Sequence, residues 1–198
     1  MVNPVSHATS APLNNPVLTG AKYCLMVVLG VALITASAKT TVPFWPVPMT
    51  LQTMAIMAIA VATGPRIAVA TILAYLATGA AGLPVFAGTP ERGIGLAYMM
   101  GPTGGYLAGY LIAAGFVGAL ARDRGAFGRF VVMMAGMVPV YLLGLAGLSG
   151  FVASEKAVAL GFTPFILGDT IKIALVALGG AAITRLTKHK ASNRADAA

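Results

Sequence analysis

Charge is scarce in this chain. Only 9% of its 198 residues are charged, against roughly 25% in an average soluble domain, while 58% are hydrophobic. A chain of this size buries only about 70% of its surface on folding, which is too little interior for so many apolar side chains. A soluble single domain is therefore excluded. Disorder is excluded too, because a disordered chain combines low hydrophobicity with high charge.

Cysteine is almost absent. Cys24 has no partner for an intrachain disulfide and no metal-ligand pattern around it, so we expect it to be a small buried residue. The formal net charge of +8 raises the question of nucleic acid, but the basic residues lie between apolar runs and form no stripe with aromatic residues. Together with a mean hydropathy of +0.88, this pattern predicts an integral membrane protein.

The chain divides into two polar ends and an apolar middle. Residues 1–21 are rich in Pro, Asn and Ser and lack the basic and apolar regions of a signal peptide, so we interpret them as a flexible tail. Residues 188–198 form a second polar tail, and 22–187 are the membrane domain. Apolar runs in this domain predict an all-α fold of six transmembrane helices, at about 22–38, 48–64, 66–82, 103–121, 129–149 and 164–186.

The basic residues predict the orientation of these helices. Six spans place both termini on one side of the membrane. Nine basic residues lie on that side: Lys22, Arg66, Arg122, Arg124, Arg129, Arg185, Lys188, Lys190 and Arg194. Lys39, Arg92 and Lys156 lie on the other. The positive-inside rule then places both termini in the cytoplasm and the longer loops, at about 39–47, 83–102 and 150–163, outside. We expect the functional site to face these loops.

One pair of charges lies inside a predicted span. Asp169 and Lys172, in the run PFILGDTIK, share one helix face because they are three residues apart. A charge within the membrane costs at least ~2.5 kcal/mol on insertion scales, so such residues usually face a polar cavity. The helix runs inward from Pro164, which puts the pair roughly 8–12 Å below the outer surface. A pocket open to the outside is the prediction, and a purely structural salt bridge is the alternative.

An anion and a cation on one wall indicate the chemistry of a ligand. A carboxylate accepts hydrogen bonds from N–H groups, and an ammonium group donates to a carbonyl or carboxylate oxygen. A neutral urea or amide-like ligand has this combination of donors and acceptor.

Two outer segments carry further candidates. In TVPFWPVPMTLQT three prolines stiffen an extended loop, Phe44 and Trp45 offer apolar faces, and Gln52 offers an amide. An interfacial role for Trp45 and an interhelical hydrogen bond for Gln52 are equally good interpretations. In the glycine-rich run 82–109, Arg92 and Glu91 either contact an anionic ligand tail or are simply solvated.

The same glycine-rich run does not form a phosphate loop. Gly88 and Gly93 have the right spacing, but Ile94 and Gly95 follow where Lys and Ser or Thr are required. We instead expect a packing stripe at Gly101, Gly105 and Gly109. The predicted spans contain one carboxylate and no histidine, which excludes the usual intramembrane hydrolases. The sequence therefore predicts neither an enzyme nor a cofactor or metal site.

The chain resembles the BioY family, the biotin-specific S components of energy-coupling-factor (ECF) vitamin transporters, at four ordered motifs: VPMTLQT, GLPVFAG, GPTGGYLAG and PFILGDTIK. The resemblance covers essentially everything after the N-terminal tail. It implies a six-helix S-component fold in the bacterial cytoplasmic membrane that binds biotin tightly near the outer face. It also implies partners, namely a transmembrane coupling protein and two ATPase subunits.

The resemblance assigns roles to individual residues. Asp169 and Lys172 match the family's contacts to the ureido head group of biotin. Further candidates for substrate binding are Gln52, Phe86, Arg92 and Tyr106. Ala32 and Ala36 match the family's Ala-x-x-x-Ala pattern, which is implicated in docking the coupling protein, although periodicity alone favours an internal helix contact. Two other functions stay open from the residues alone: an ion-coupled secondary carrier of a ureido or amide solute, and a non-transporting scaffold.

Overall fold

The described part of the chain is almost entirely helical. The computed structural model describes residues 16–43, 49–88 and 94–195. In these ranges the elements follow in the order α1 (Pro16–Lys39), β1 (Thr41–Val42), β2 (Met49–Thr50), α2 (Gln52–Thr63), α3 (Pro65–Ala80), α4 (Leu96–Met99), α5 (Gly104–Leu120), α6 (Ala126–Leu148), α7 (Ser154–Gly161) and α8 (Thr163–Ala195). Each of the six predicted helices corresponds to one long helix of this series.

The differences from the predicted elements lie at helix ends and in the loops. α2 begins at Gln52 because Met49 and Thr50 form β2, which pairs antiparallel with β1. α8 continues to Ala195, since Lys, Ala and Arg propagate a helix without any apolar face. The strand pair and the short helices α4 and α7 were not predicted, because elements this short leave no periodicity in the sequence.

Helix length separates the six long helices into two groups. Three described stretches are long and apolar enough to cross a membrane: Thr19–Lys39, Ala126–Leu148 and Ser154–Gly180, the last of which includes α7. The helices α2, α3 and α5 are apolar but have only 12, 16 and 17 residues, or about 18 to 26 Å at 1.5 Å per residue. Non-helical backbone is tolerated at membrane depth where protein covers it. Met49 before α2 and Val85 after α3 are non-helical residues that are buried by the rest of the protein.

The two ends of the bundle differ in their connections. At one end, which we call the turn end, α2 and α3 are joined at Gly64 and α5 and α6 at residues 121–125. Gly64 has φ 79°, a left-handed conformation that favours glycine. At the opposite end, which we call the loop end, lie the β1–β2 pair, the segment after α3, α4 and α7. The longer connections thus share one end, where the sequence predicted a site.

Small residues let the helices approach closely. A Cβ atom at Gly109 would lie 2.5 Å from Cα of Val140 on α6, and one at Gly105 would collide with the carbonyl of Leu143. Gly105 and Gly109 therefore form the predicted packing stripe. Gly101 is not part of it, because α5 begins only at Gly104 and Gly101 instead lies against the backbone of Tyr98.

One expectation about the core is wrong. Cys24 is exposed, because the first half of α1 packs against little else and presents Tyr23, Leu25 and Met26 to the surroundings. The buried core lies among the other helices, where Met57, Ile72 and Met133 are fully enclosed. In a membrane protein an exposed apolar helix face contacts lipid or another protein, so exposure of Cys24 has no unfavourable consequence.

Candidate functional site in the loop-end half of the bundle

The two charges predicted to share one helix face form a buried ion pair. Nζ of Lys172 lies 2.9 Å from Oδ1 of Asp169, one helical turn apart on α8. Both residues are buried: Asp169 is 5% exposed and Lys172 is 7% exposed. They lie about 9 and 14 Å along the axis from the first residue of α8, near the loop end. Burying an ion pair rarely gains stability over apolar residues of the same volume, which favours a functional reason for this one.

A tyrosine that the sequence analysis did not single out completes the carboxylate's environment. The hydroxyl of Tyr141, on α6, donates to Oδ2 of Asp169 at 2.7 Å. Tyr141 is itself buried and packs edge to face against Phe162, with ring centroids 4.8 Å apart. Each carboxylate oxygen of Asp169 thus has one donor from the protein. No spacing rule links residues 141 and 169, so only the contact between α6 and α8 reveals the interaction.

The β1–β2 pair is packed onto the same part of α8. Met49 of β2 is buried, and its sulfur occupies the space that a side chain at Gly168 would need. Leu51, the next residue but one, donates its amide to the carbonyls of Ser37 and Thr40 at the end of α1. The glycine before Asp169 therefore allows the β1–β2 pair to approach α8 one residue before the charged pair.

Gln52 belongs to a second polar group beside this segment. Its side-chain amide donates to the hydroxyl of Tyr75 at 3.3 Å, and Tyr75 donates in turn to the carbonyl of Val85 at 3.1 Å. Gln52, Tyr75 and Val85 are all buried. The chain of hydrogen bonds joins α2, α3 and the segment after α3, as the interhelical interpretation of Gln52 expects.

Phe86 is packed into the same group by its ring. It lies edge to face on Tyr75, with centroids 5.4 Å apart, and stacks on Tyr98 of α4 at 4.9 Å. The ring also rests on the backbone of Gly79, where no Cβ would fit. Only 5% of Phe86 is exposed. In this arrangement Phe86 forms an apolar wall that fixes the segment 83–88 on α3.

Tyr106 and Tyr110, on neighbouring turns of α5, lie between these groups. The Tyr106 hydroxyl donates to the carbonyl of Gly161 at 2.8 Å, which ties α5 to the end of α7. Tyr110 packs against the buried core. Asp169, Lys172, Gln52, Phe86 and Tyr106 all lie in the loop-end half of the bundle.

Arg92 is one of the four weaker substrate-binding candidates. It lies outside the described residues together with Glu91, Phe44 and Trp45. Lys39, at the end of α1, donates to the carbonyl of Gly88 at 3.1 Å. This hydrogen bond joins the end of α1 to the segment that follows α3.

The alanine pattern on α1 faces away from the bundle. Ala32 and Ala36 are both exposed, so an internal helix contact does not explain their spacing. Leu29 and Leu33 beside them are 60% and 49% exposed. The two alanines form a shallow, flat strip between larger side chains, which suits close approach of a helix from another protein.

The described polar groups near the loop end supply hydrogen-bond donors and acceptors. Among the described residues there is no group of three or more His, Cys, Asp or Glu that could hold a metal ion. A fixed carboxylate and a fixed ammonium group, enclosed by aromatic rings, supply an acceptor, a donor and apolar walls.

Comparison with known proteins agrees with this geometry. The pattern that defines the BioY family matches residues 8–189. The chain belongs to the BioY family. Family members of this name are transporters, so the chain is a membrane transport protein and not an enzyme. This agrees with the expectation from its missing catalytic groups.

Several BioY proteins are similar over most of their length. A protein of Pyrococcus horikoshii named as a probable biotin transporter is 38% identical over 154 residues, which are 78% of this chain and 91% of that one. The biotin transporter of Thermotoga maritima is 36% identical, covering 74% and 86% of the two chains. BioY2 of Lactococcus lactis is 32% identical, covering 83% and 91%.

A solved structure has the same fold. It is the S component for biotin from an ECF-type ABC transporter, and it matches with a TM-score of 0.71 and 26% identity over 88% of this chain and 95% of that chain. The helical BioY architecture described above is therefore that of an S component.

Proposed function

We propose that this chain binds biotin with high affinity at Asp169 and Lys172 and serves as the substrate-specific component of an ECF transporter. The observation that carries the proposal is the buried pair of opposite charges, 2.9 Å apart, at the loop end of α8. Biotin transporters among the relatives and a biotin S component among the solved structures support the choice of ligand.

The chemistry of the ligand fits the pair. The ureido ring of biotin offers N–H donors and one carbonyl acceptor. Asp169 has one lone pair left on each oxygen after its bonds to Tyr141 and Lys172, and the ammonium group of Lys172 has further N–H donors. Gln52, Phe86 and Tyr106 would enclose the rest of the head group, and Arg92 would meet the carboxylate tail. The proposal needs no cofactor and no metal.

The topology is part of the proposal. Six spans with both termini in the cytoplasm place the loop end outside, where the ligand arrives. The basic residues Arg66, Arg122, Arg124 and Arg129 at the turn end support this orientation. Labelling of a cysteine at position 156, in a Cys24→Ser background, should then occur from outside the cell; labelling only from the inside would reverse the topology.

The partners follow from what the chain lacks. Its sequence has no nucleotide-binding motif, so we propose that a coupling protein docks at Ala32 and Ala36 and that two ATPase subunits supply the energy. Uptake that survives ATP depletion but stops with an ionophore would instead favour the secondary carrier.

Calorimetric titration of the purified protein with biotin tests the ligand directly. We expect binding by the parent and a large loss of affinity in Asp169→Asn, which removes the negative charge and turns one acceptor oxygen into a donor group. Absence of heat with the folded parent, or equal affinities for parent and Asp169→Asn, would overturn the proposal.

A further inference from the structure

Tyr141 is the candidate that the structure adds to the site. We propose that it is a positioning residue for ligand binding: its hydroxyl fixes the plane of the Asp169 carboxylate and thereby sets the direction in which that group accepts N–H donors. The inference rests on the proposed function, because it concerns the same carboxylate.

The hydrogen bonds of Asp169 are the first step of the argument. Lys172 donates to Oδ1 at 2.9 Å and Tyr141 to Oδ2 at 2.7 Å. A carboxylate rotates about its last torsion with little preference, and Lys172 alone, from the same helix, constrains only one oxygen. The second donor comes from α6 and removes the remaining freedom. The unused lone pairs then point in one fixed direction, so that less ordering is needed when a ligand binds.

The surroundings of Tyr141 are the second step. Its ring is buried and held edge to face by Phe162, at the junction of α7 and α8. The phenol is therefore fixed on two sides, by the ring contact and by its own hydrogen bond. A side chain whose role was only to fill this space would not need a hydroxyl. The 2.7 Å hydrogen bond to Asp169 therefore indicates a role for the hydroxyl itself.

The test is Tyr141→Phe, which removes the hydroxyl and keeps the ring. We expect the affinity for biotin to fall roughly ten- to hundredfold, the range for a hydrogen bond to a charged group. Replacement of Tyr141 by 4-fluorophenylalanine keeps the volume of the phenol as well, and serves if the smaller ring destabilises the fold. Desthiobiotin retains the ureido group but lacks the sulfur ring. The Tyr141→Phe variant should therefore lose affinity for desthiobiotin, relative to the parent, by the same factor as for biotin.

A control variant separates positioning from a general loss of stability. Thr71→Val removes another buried hydroxyl, which donates to the carbonyl of Ile67 on α3. We expect this variant to bind biotin within about threefold of the parent while unfolding at a lower temperature, as Tyr141→Phe does.

The outcomes distinguish failure of the positioning role of Tyr141 from failure of the proposed function. Tyr141→Phe with unchanged affinity, or Thr71→Val with an equal loss, would overturn the positioning role while the parent still binds biotin. A desthiobiotin affinity that hardly changes would also overturn it, because the loss would then not arise at the ureido contact. A folded parent that does not bind biotin would instead refute the proposed function.

Discussion

At the scale of single residues, the buried charges have the largest consequences. Lys172 is 7% exposed, and among the described residues it forms an ion pair with Asp169 on the same helix. An isolated buried charge is far more costly than a paired one. Lys172 therefore balances the charge of Asp169, and under the proposed function its remaining N–H groups donate to the ligand.

Lys172→Ala should weaken biotin binding by at least ~1.5–3 kcal/mol, the scale of a charge-assisted hydrogen bond. It should also lower the stability of the unliganded protein, because Asp169 keeps the hydroxyl of Tyr141 but loses its counter-charge. Titration calorimetry measures the first effect and thermal unfolding the second.

Lys156→Ala is the matched control for this prediction. Lys156 lies at the same end of the molecule on α7, but it is exposed, and exposed charges contribute little. Its removal should leave affinity and unfolding temperature nearly unchanged. A Lys172→Ala protein that binds like the Lys156→Ala control would place Lys172 outside the pocket.

The sequence predicted some of these residues and could not predict others. Asp169 and Lys172 were identifiable because charged residues are rare in the predicted spans, so two charges three residues apart in one span indicate a polar environment. Tyr141 and Tyr75 were not, because a tyrosine in an apolar helix has no special spacing and its role depends on which helix lies opposite. The hydroxyl partners, Asp169 and Val85, are 28 and 10 residues away.

At the scale of elements, the β1–β2 pair contacts α8 next to the charged pair. Met49 fills the space beside Gly168, so the strand pair and α8 are in direct contact one residue before Asp169. Hydropathy placed residues 48–51 inside a helix because they are apolar. A two-residue strand gives no alternation to contradict that interpretation, whereas the long helices were predicted well because their apolar runs are long.

Gly168→Ala should therefore displace the strand pair and weaken biotin binding. The added methyl group would overlap the sulfur of Met49, and overpacking of this kind costs about 1–3 kcal/mol. Met49→Ala in the same protein should restore much of the lost stability, since it returns the space. Thermal unfolding and biotin affinity of the single and double variants measure the effect.

Gly179→Ala provides a control on the same helix. A Cβ there meets nothing within 4 Å, and exchange of a helical glycine for alanine stabilises by roughly 0.5–1 kcal/mol. This variant should unfold at the same or a higher temperature. If Gly168→Ala behaves in the same way, Met49 moves freely and the approach of the strand pair to α8 does not depend on Gly168.

At the scale of the whole molecule, most of the described residues lie in the helices of the bundle, and the proposed function assigns the energy for uptake to other proteins. Contact with them requires an outward surface that the fold itself does not use. α1 packs on α2 and α3 and leaves Ala32 and Ala36 exposed. The sequence alone could not decide between an internal and an external stripe, because periodicity defines a helix face without saying what it meets.

Ala32→Trp should therefore leave biotin binding intact and abolish uptake. The large ring would hold a partner helix away from the strip formed by Ala32 and Ala36 without touching the core. The control is Ala135→Trp, at an exposed position on α6, where a bulky side chain should affect neither binding nor uptake. Affinity is measured on the purified chain, and uptake and co-purification of the coupling protein on cells that express the whole transporter. If Ala32→Trp supports uptake as well as Ala135→Trp does, the strip only contacts lipid, and the coupling protein docks on another face of the bundle.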